Sequence, residues 1–226
     1  MIATVEIAKM PLLFSRDRET PMPLRGIWPK GMPRQRHAKN LTFNANDYPC
    51  VGDRLQAFSD AAIQLNEAGF NTYTTVNPVK PSFLGDLHNG LAVTDKDIAC
   101  RRLIFIDLDR TGVLDGPATD QEVADAAIVA QQITAFLREE LQIEPWRVMS
   151  GNGFHVYLPI DNLPNDAVSA NCCQRLLHGL GDRFDTETIK VDRSVYNASR
   201  ITKVPGTIAR KGIETANRPF RMAHVL

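Results

Sequence analysis

Hydrophobic and polar residues alternate along the chain in patterns that predict regular elements from about residue 53 onward. Apolar residues recur at helical spacing over 53–68, and Gly69 follows where a helix-ending residue is expected. Residues 70–76 are rich in threonine and aromatic side chains, which predicts a strand that ends before Pro78. The pattern therefore predicts a helix-strand unit ahead of the remaining elements.

A second group of elements begins with Leu103–Ile106, a continuous apolar run typical of a strand buried on both faces. Thr119 and Glu122 form a capping-box pattern that predicts the start of a long amphipathic helix. The elements predicted after the first strand are a helix over 120–141, strands at 146–149 and 154–160, a helix over 166–181, and short strands near 187–191 and 199–209. The order β-α-β-β-α-β predicts an α+β fold with the split βαβ sheet of ferredoxin-like and RNA-recognition-type (RRM-like) domains.

The N-terminal part of the chain shows little sustained periodicity and contains several prolines. Residues 1–45 are therefore predicted to form an irregular or extended arm, and residues 46–226 a single domain. The composition, with 43% hydrophobic residues, 14 glycines and 14 prolines, excludes collagen, a coiled coil and wholesale disorder. Four cysteines without Cys-x-x-Cys spacing, together with the lack of a long apolar run, indicate a reduced, cytoplasmic protein that does not enter a membrane.

The net charge is zero, yet the charges are segregated along the chain. Residues 16–39 hold seven Arg or Lys against two acids, and residues 193–226 hold seven against one acid. Such segregation can create a positive face that attracts phosphates even when the total cancels. We expect residues 193–226 to contribute a basic wall that binds nucleic acid, although the same charges could simply solvate loops.

Two acidic residues follow the predicted strand Leu103–Ile106 directly. Asp107 and Asp109 are two residues apart, so on a strand both carboxylates point to the same side. Carboxylates this close repel each other unless a cation lies between them, and a hard divalent cation is the natural candidate. The alternative is a pair of surface carboxylates that ends a strand.

A glycine-containing turn, Ser150-Gly151-Asn152-Gly153, joins the two strands that follow the long helix. Glycines let backbone amides approach a ligand closely, and His155 on the outgoing strand can donate to a phosphate oxygen. Taken alone, the same residues are more typical of a plain hairpin turn with a core histidine.

The last segment combines an acid with several bases. Asp192 ends a predicted short strand that can lie beside the first strand of a split βαβ sheet. Arg200 and Lys203 follow it, and Arg210 and Lys211 come next. These residues would place cations around a site that already holds acids.

These segments, in this order over residues 70–212, resemble the catalytic motifs of the archaeo-eukaryotic primase (AEP) superfamily, particularly primase-polymerase domains of plasmid, phage and CRISPR-associated proteins. The matching motifs are Asp107-x-Asp109, Ser150-Gly151-Asn152-Gly153-Phe154-His155, Asp192 and Asn197–Thr207. Arg110 departs from the pattern, because small residues or proline are common after the acid pair.

The resemblance implies a DNA-template-dependent primase or polymerase that transfers nucleotides from nucleoside triphosphates. Asp107, Asp109 and Asp192 would hold two Mg²⁺ or Mn²⁺ ions in a two-metal scheme. The implied nucleotide-binding residues are Ser150, Gly151, Asn152, Gly153, His155, Arg200 and Lys203. Arg210 and Lys211 would extend the surface toward DNA, and a helicase or another replication or CRISPR protein is an implied partner.

Two other functions fit parts of the pattern. Asp107 could be the nucleophile and Asp109 the acid of a haloacid-dehalogenase-type phosphatase, but that family needs a downstream lysine and a doubly wound sheet. No lysine occurs between Gly151 and Asp182. A non-catalytic RNA-recognition-type module would instead show exposed aromatic residues on its central strands, where this sequence has acids.

Overall fold

The computed structural model describes residues 5–7, 9–10, 18–83, 90–112 and 115–226. Residues 5–7 and 9–10 are helical, and the helices that follow are α1 (Val51–Glu67), α2 (Asp120–Leu141) and α3 (Ala167–Phe184), with a short 3₁₀ turn at Asp95–Asp97. The strands are β1 (Met22–Ile27), β2 (Lys39–Phe43), β3 (Asn71–Thr75), β4 (Cys100–Arg110), β5 (Trp146–Met149), β6 (Phe154–Pro164), β7 (Ile189–Val191), β8 (Ile201–Lys203), β9 (Ile208–Ala209), β10 (Arg221–Met222) and β11 (His224–Val225).

A five-stranded antiparallel sheet, in the order β11-β5-β6-β4-β7, forms the larger half of the fold. The consecutive elements β4, α2, β5, β6, α3 and β7 supply four of these strands and the helices that pack on them. This order confirms the predicted split βαβ arrangement. The long apolar core between sheet and helices includes Ile106, Leu108, Ile133, Leu137 and Leu177.

Local sequence explains why α2 begins where it does. Thr119 accepts a hydrogen bond from the backbone N–H of Glu122, and the Glu122 carboxylate accepts one from the backbone N–H of Thr119. The reciprocal capping box satisfies two amides that have no partner within the helix. The observed helix, Asp120–Leu141, has the bounds that the sequence predicts.

A second sheet, in the order β2-β1-β3-β8, lies where the sequence predicts an irregular arm and an isolated helix-strand unit. Leu24, Phe43, Phe58 and Ala62 form its separate core against α1. The arm prediction is therefore wrong for Met22–Ile27 and Lys39–Phe43, which are strands. The prolines in this segment hid the strand pattern. Pro23 lies before the three residues through which β1 pairs with β3, so its missing N–H removes no hydrogen bond of that ladder.

The predicted strand over 199–209 is two strands in different sheets. β8 joins the second sheet, whereas β9 pairs with β10, and Gly206 takes a positive φ of 78° in the turn between them. All strand ladders among the described residues are antiparallel, so the doubly wound sheet of the phosphatase alternative is absent from them. None of the described helices is both long enough and apolar enough to cross a membrane.

Candidate active site

Three carboxylates converge at one end of the larger sheet. Asp107 and Asp109 leave the same face of β4, and Asp192 follows the last residue of the neighbouring strand β7. The backbone N–H of Asp192 donates to the carbonyl oxygen of Asp107 at 2.9 Å. One carboxylate oxygen from each residue lies within 4.8 Å of the other two. This spacing suits a set of hard oxygen ligands around a divalent cation.

The carboxylates raise one another's pKa. Removal of water by the surrounding protein, reinforced by the charge of Asp192, raises the pKa of Asp107 to about 7. The same loss of water, together with the charges of Asp107 and Asp192, raises the pKa of Asp109 to about 6. Holding three acids this close disfavours their charged forms, and such an arrangement is more consistent with cation binding than with a pair of surface carboxylates.

His155 is the direct cross-strand neighbour of Asp107 on β6. Its Nε2 lies 3.4 Å from Oδ1 of Asp107, while Nδ1 lies 3.2 Å from the Tyr157 hydroxyl and 3.1 Å from the Thr202 hydroxyl. Burial lowers the pKa of His155 to about 4, so the ring is neutral at pH 7. In the tautomer with the ring proton on Nε2, that N–H would face the Asp107 carboxylate and Nδ1 would accept a hydrogen bond from the Thr202 hydroxyl.

The two glycines of the turn are required by close packing within the protein. A Cβ on Gly153 would lie 2.5 Å from the carbonyl oxygen of Leu108 on β4. Gly151 has a φ of +101°, and a Cβ there would lie 2.4 Å from that of Ala209. Ser150 and Asn152 line the site, but the Asn152 side chain also accepts a hydrogen bond from the backbone of Ala118. The turn therefore brings β9 against the acid-bearing strand.

A cleft with about 350 Å³ of open space is lined by two of the carboxylates, Asp107 and Asp109, and by a group of basic side chains. The predicted site residues that line this cleft are Asp107, Asp109, Ser150, Asn152, Gly153, His155, Lys203, Arg210 and Lys211. Lys203 is buried and donates to the carbonyl oxygen of Ile208 at 3.0 Å. Burial and the nearby charge of Arg210 hold the pKa of Lys203 well below its usual value. An anion in the cleft would stabilise the charged lysine.

Two asparagines hold the segment that carries the basic residues of the cleft. The Asn71 amide donates to the Arg210 carbonyl at 2.7 Å and accepts from the Arg210 N–H at 2.8 Å. Asn66 makes the same pair of bonds with Ile208, at 2.9 and 2.8 Å. These side chains satisfy backbone groups that no strand partner reaches, so Arg210 and Lys211 are held at a defined distance from the acids.

No protein-family model matches the chain, and no curated protein matches it by sequence. Two solved structures are similar in fold. The AEP domain of the primase-polymerase of cyanophage S-2L superposes with a TM-score of 0.53 at 16% identity, over 98% of this chain and 88% of that one. The polymerase domain of Mycobacterium tuberculosis Ligase D, in complex with DNA, gives 0.51 at 14% identity, over 97% and 79%.

The chain has the AEP primase-polymerase fold. The predicted fold class is thereby confirmed, including the mixed α+β architecture with antiparallel sheets. The similarity extends over both sheets, since it covers nearly the whole chain. In this AEP fold the carboxylates belong to the five-stranded sheet, whereas Asn71 and Lys203 belong to the second.

Arg110, which departs from the AEP motif, has a structural role on the opposite side of β4. Its guanidinium is buried and hydrogen-bonds to Glu122 at 2.7 Å and to the carbonyl oxygens of Pro117 and Gly116. Although burial opposes ionisation, hydrogen bonds from Arg218, the Thr119 backbone and Arg110 lower the pKa of Glu122 to about 2. Arg110 therefore fixes the start of α2 and is turned away from the cleft.

The expected basic wall over 193–226 is only partly present. Arg193 bonds to Asp185 and Asp182, Arg218 bonds to Glu122, and Arg221 bonds to Asp120. These ion pairs with carboxylates reduce the charge that the three arginines offer to DNA, and their place in a DNA-facing wall stays a prediction. The basic residues of the segment that line the cleft are Lys203, Arg210 and Lys211.

Two predicted nucleotide-binding residues lie outside the lining of the cleft. Arg200 borders a small neighbouring cavity with Tyr196, although its charge still acts on Asp107. Gly151 packs against Ala209 and the backbone of Arg221. Their proposed contacts with nucleotide stay predictions.

Apart from Lys203, the residues that the second sheet and its adjoining loop contribute to the cleft were not predicted from the sequence. Trp28, Lys30, Asn71 and Tyr73 line the cleft, and all lie on or next to β1 and β3. The positive charge of residues 16–39 was the one signal that pointed to part of this surface. Asn71 and Tyr73 carry no such signal, because only the pairing of β3 with β8 brings them opposite the acids.

Proposed function

We propose that this protein is a template-dependent nucleotidyltransferase, a DNA primase or polymerase that uses nucleoside triphosphates. The observation that carries the proposal is the juxtaposition, on an AEP fold, of three clustered carboxylates and three cationic side chains across one cleft. A triphosphate substrate needs both groups of side chains, since the cations bind its oxygens and the acids bind the metal that accompanies it.

Asp107, Asp109 and Asp192 fit the ligand set of Mg²⁺ or Mn²⁺, because they offer hard oxygen donors within 4.8 Å of one another. In the two-metal scheme that we propose, these three carboxylates would hold the ions, whose chemistry would be to activate the attacking 3′ hydroxyl and to neutralise the triphosphate. Among the protein groups, Ser194 donates its backbone N–H to Asp192 at 2.8 Å and thereby holds this carboxylate toward the other two.

Lys203, Arg210 and Lys211 would bind the phosphates from the opposite wall of the cleft. Burial and the charge of Arg210 hold the pKa of Lys203 well below its usual value in the free protein, and a bound phosphate would favour the charged form of this lysine. The neutral His155 offers one N–H near the acids. Its Nε2 lies 3.4 Å from Oδ1 of Asp107, longer than a normal hydrogen bond, so a phosphate oxygen can take the place of the carboxylate as the partner of this nitrogen. Positioning and charge, without a protein nucleophile, would supply the catalysis.

The decisive experiment is incorporation of labelled nucleotides on a single-stranded DNA template, with and without primer, in Mg²⁺ or Mn²⁺. Wild-type protein should incorporate nucleotides complementary to the template. Asp109→Asn should abolish incorporation, whereas Asp161→Asn, at an exposed position on β6, should not change it. Absence of incorporation by wild type under every metal and nucleotide condition would refute the proposal. No observation on the described residues points to a helicase or a CRISPR partner, so these stay predictions.

A further inference from the structure

The loop between β1 and β2 carries a cluster of exposed positive charge beside the cleft. Between residues 20 and 46 the sequence has five Arg or Lys and no acidic residue. Lys30, Arg34 and Arg36 lie in residues 28–38, here called the basic loop, and all three are exposed. No ion pair joins them to another described residue, unlike the arginines near the C-terminus.

The basic loop is physically joined to the cationic wall of the cleft. The backbone N–H of Gly212 donates to the carbonyl oxygen of Lys30 at 2.9 Å. Gly31 packs so closely that a Cβ there would lie 3.1 Å from Cα of Gly212. Trp28 and Lys30 line the cleft together with Lys211. The two loops therefore form one continuous surface, in which the charge of Lys30 is close enough to disfavour that of Lys211.

The guanidinium of Arg36 lies over an anchored aromatic ring. Its guanidinium carbon lies 4.7 Å from the centroid of Trp28. The indole N–H donates to the carbonyl oxygen of Pro33 at 3.2 Å, and the ring meets Phe70 edge-on at 5.2 Å. Stacking on an indole fixes the plane of the guanidinium and leaves its outer side in solvent. Such a surface can stack against a nucleobase and also bind a phosphate.

We infer that the basic loop binds the single-stranded template strand where it approaches the cleft. The inference rests on the proposed function and adds to it the path of the template. A nucleoside triphosphate alone does not account for this surface, because Arg34 and Arg36 do not line the cleft that would hold it. A polyanion that extends from the cleft over the loop can contact all of these cations, and it relieves the repulsion between Lys30 and Lys211.

Salt-dependent binding of a fluorescently labelled single-stranded DNA tests this path. Anisotropy titrations between about 50 and 200 mM salt would compare wild type with the double variant Arg34→Gln/Arg36→Gln. The matched control is Arg175→Gln/Lys96→Gln, which removes two exposed charges away from the cleft. Loss of two phosphate contacts should lower the slope of log K against log salt by about 1.4 and weaken binding about tenfold near 0.1 M salt.

Any of three results would overturn the inference. The first is an unchanged slope and affinity in the basic-loop variant, and the second is an equal loss in the control variant, which would show that total charge alone matters. An effect confined to the KM for nucleotide, with template affinity intact, would also refute it. Melting temperatures of both variants within about 2 °C of wild type establish that the fold is retained.

Arg36→Lys separates stacking from charge. Lysine keeps the positive charge but lacks the planar guanidinium, so the salt slope should stay at the wild-type value while affinity falls several-fold. Wild-type affinity in Arg36→Lys would refute the stacking contribution. The binding measurements need no catalysis. If wild type binds DNA but incorporates no nucleotide, the proposed function alone is refuted. If wild type incorporates nucleotide and Arg34→Gln/Arg36→Gln binds DNA as wild type does, the inference alone is refuted.

Discussion

Replacing Asp107 with asparagine should stabilise the metal-free protein at the same time as it abolishes nucleotide transfer. Asparagine keeps the shape of the side chain and removes the charge that Asp109 and Asp192 repel. The folded protein holds the Asp107 proton more tightly than the unfolded chain does, since its pKa is raised to about 7. Ionisation therefore costs the wild type stability as pH rises from about 4 to 7, and the variant escapes this cost.

The size of the effect follows from the pKa. A rise from 3.8 to about 7 is roughly three units, which corresponds to about 4 kcal/mol at pH 8 as an upper bound. The Asp107 side chain retains 26% exposure, so partial hydration lowers the expected gain to about 2–4 kcal/mol. At pH 4 the carboxyl is protonated in the folded state, and the difference should shrink to below about 1 kcal/mol.

Urea denaturation in EDTA at pH 4 and pH 8 measures these differences. Asp161→Asn, which removes an exposed carboxylate from β6, should stay within about 0.5 kcal/mol of wild type at both pH values. Added Mn²⁺ should stabilise wild type through preferential binding to the folded state and should stabilise Asp107→Asn far less. A variant that is no more stable than wild type at pH 8 would refute the repulsion that we assign to the carboxylates.

Three further changes test other parts of the site. Gly153→Ala should destabilise the protein by about 1–3 kcal/mol in urea titrations, because its Cβ would lie 2.5 Å from the β4 backbone. The control Gly179→Ala, whose Cβ would have no atom within 4 Å, should stabilise α3 by about 0.5–1 kcal/mol. Glu122→Gln should lower the free energy of unfolding by up to about 3 kcal/mol at pH 7. Because the pKa of Glu122 in the folded protein is about 2, wild type should lose this stability as pH falls from about 4.5 to 2, and the variant should not. Parallel acid-unfolding curves for the two proteins would contradict this. His155→Ala should raise the KM for nucleotide at least about tenfold in extension assays while single-stranded DNA affinity is retained, and the reverse pattern would exclude a role at the triphosphate.

Much of the secondary structure could be predicted from the sequence because it depends on local rules. Hydrophobic spacing and the Thr119 capping box predict α2 at its observed bounds. The apolar run before Asp107 predicts a buried strand, and the order of elements predicts the split βαβ sheet. The period of two along a strand places Asp107 and Asp109 on one side. Helix periodicity, capping and strand alternation are properties of a few neighbouring residues, so the chain alone determines them.

Tertiary structure decided which distant residues meet. Register alone makes His155 the neighbour of Asp107, and the pairing of β3 with β8 places Lys203 opposite the acids. Charge counting could not show that Arg218 forms an ion pair with Glu122, whereas Arg36 lies over Trp28 and has no ion pair with another described residue. These outcomes depend on how two sheets from separate parts of the chain pack around a cleft. Local sequence determines the elements, but pairing energies between segments far apart in sequence determine the site.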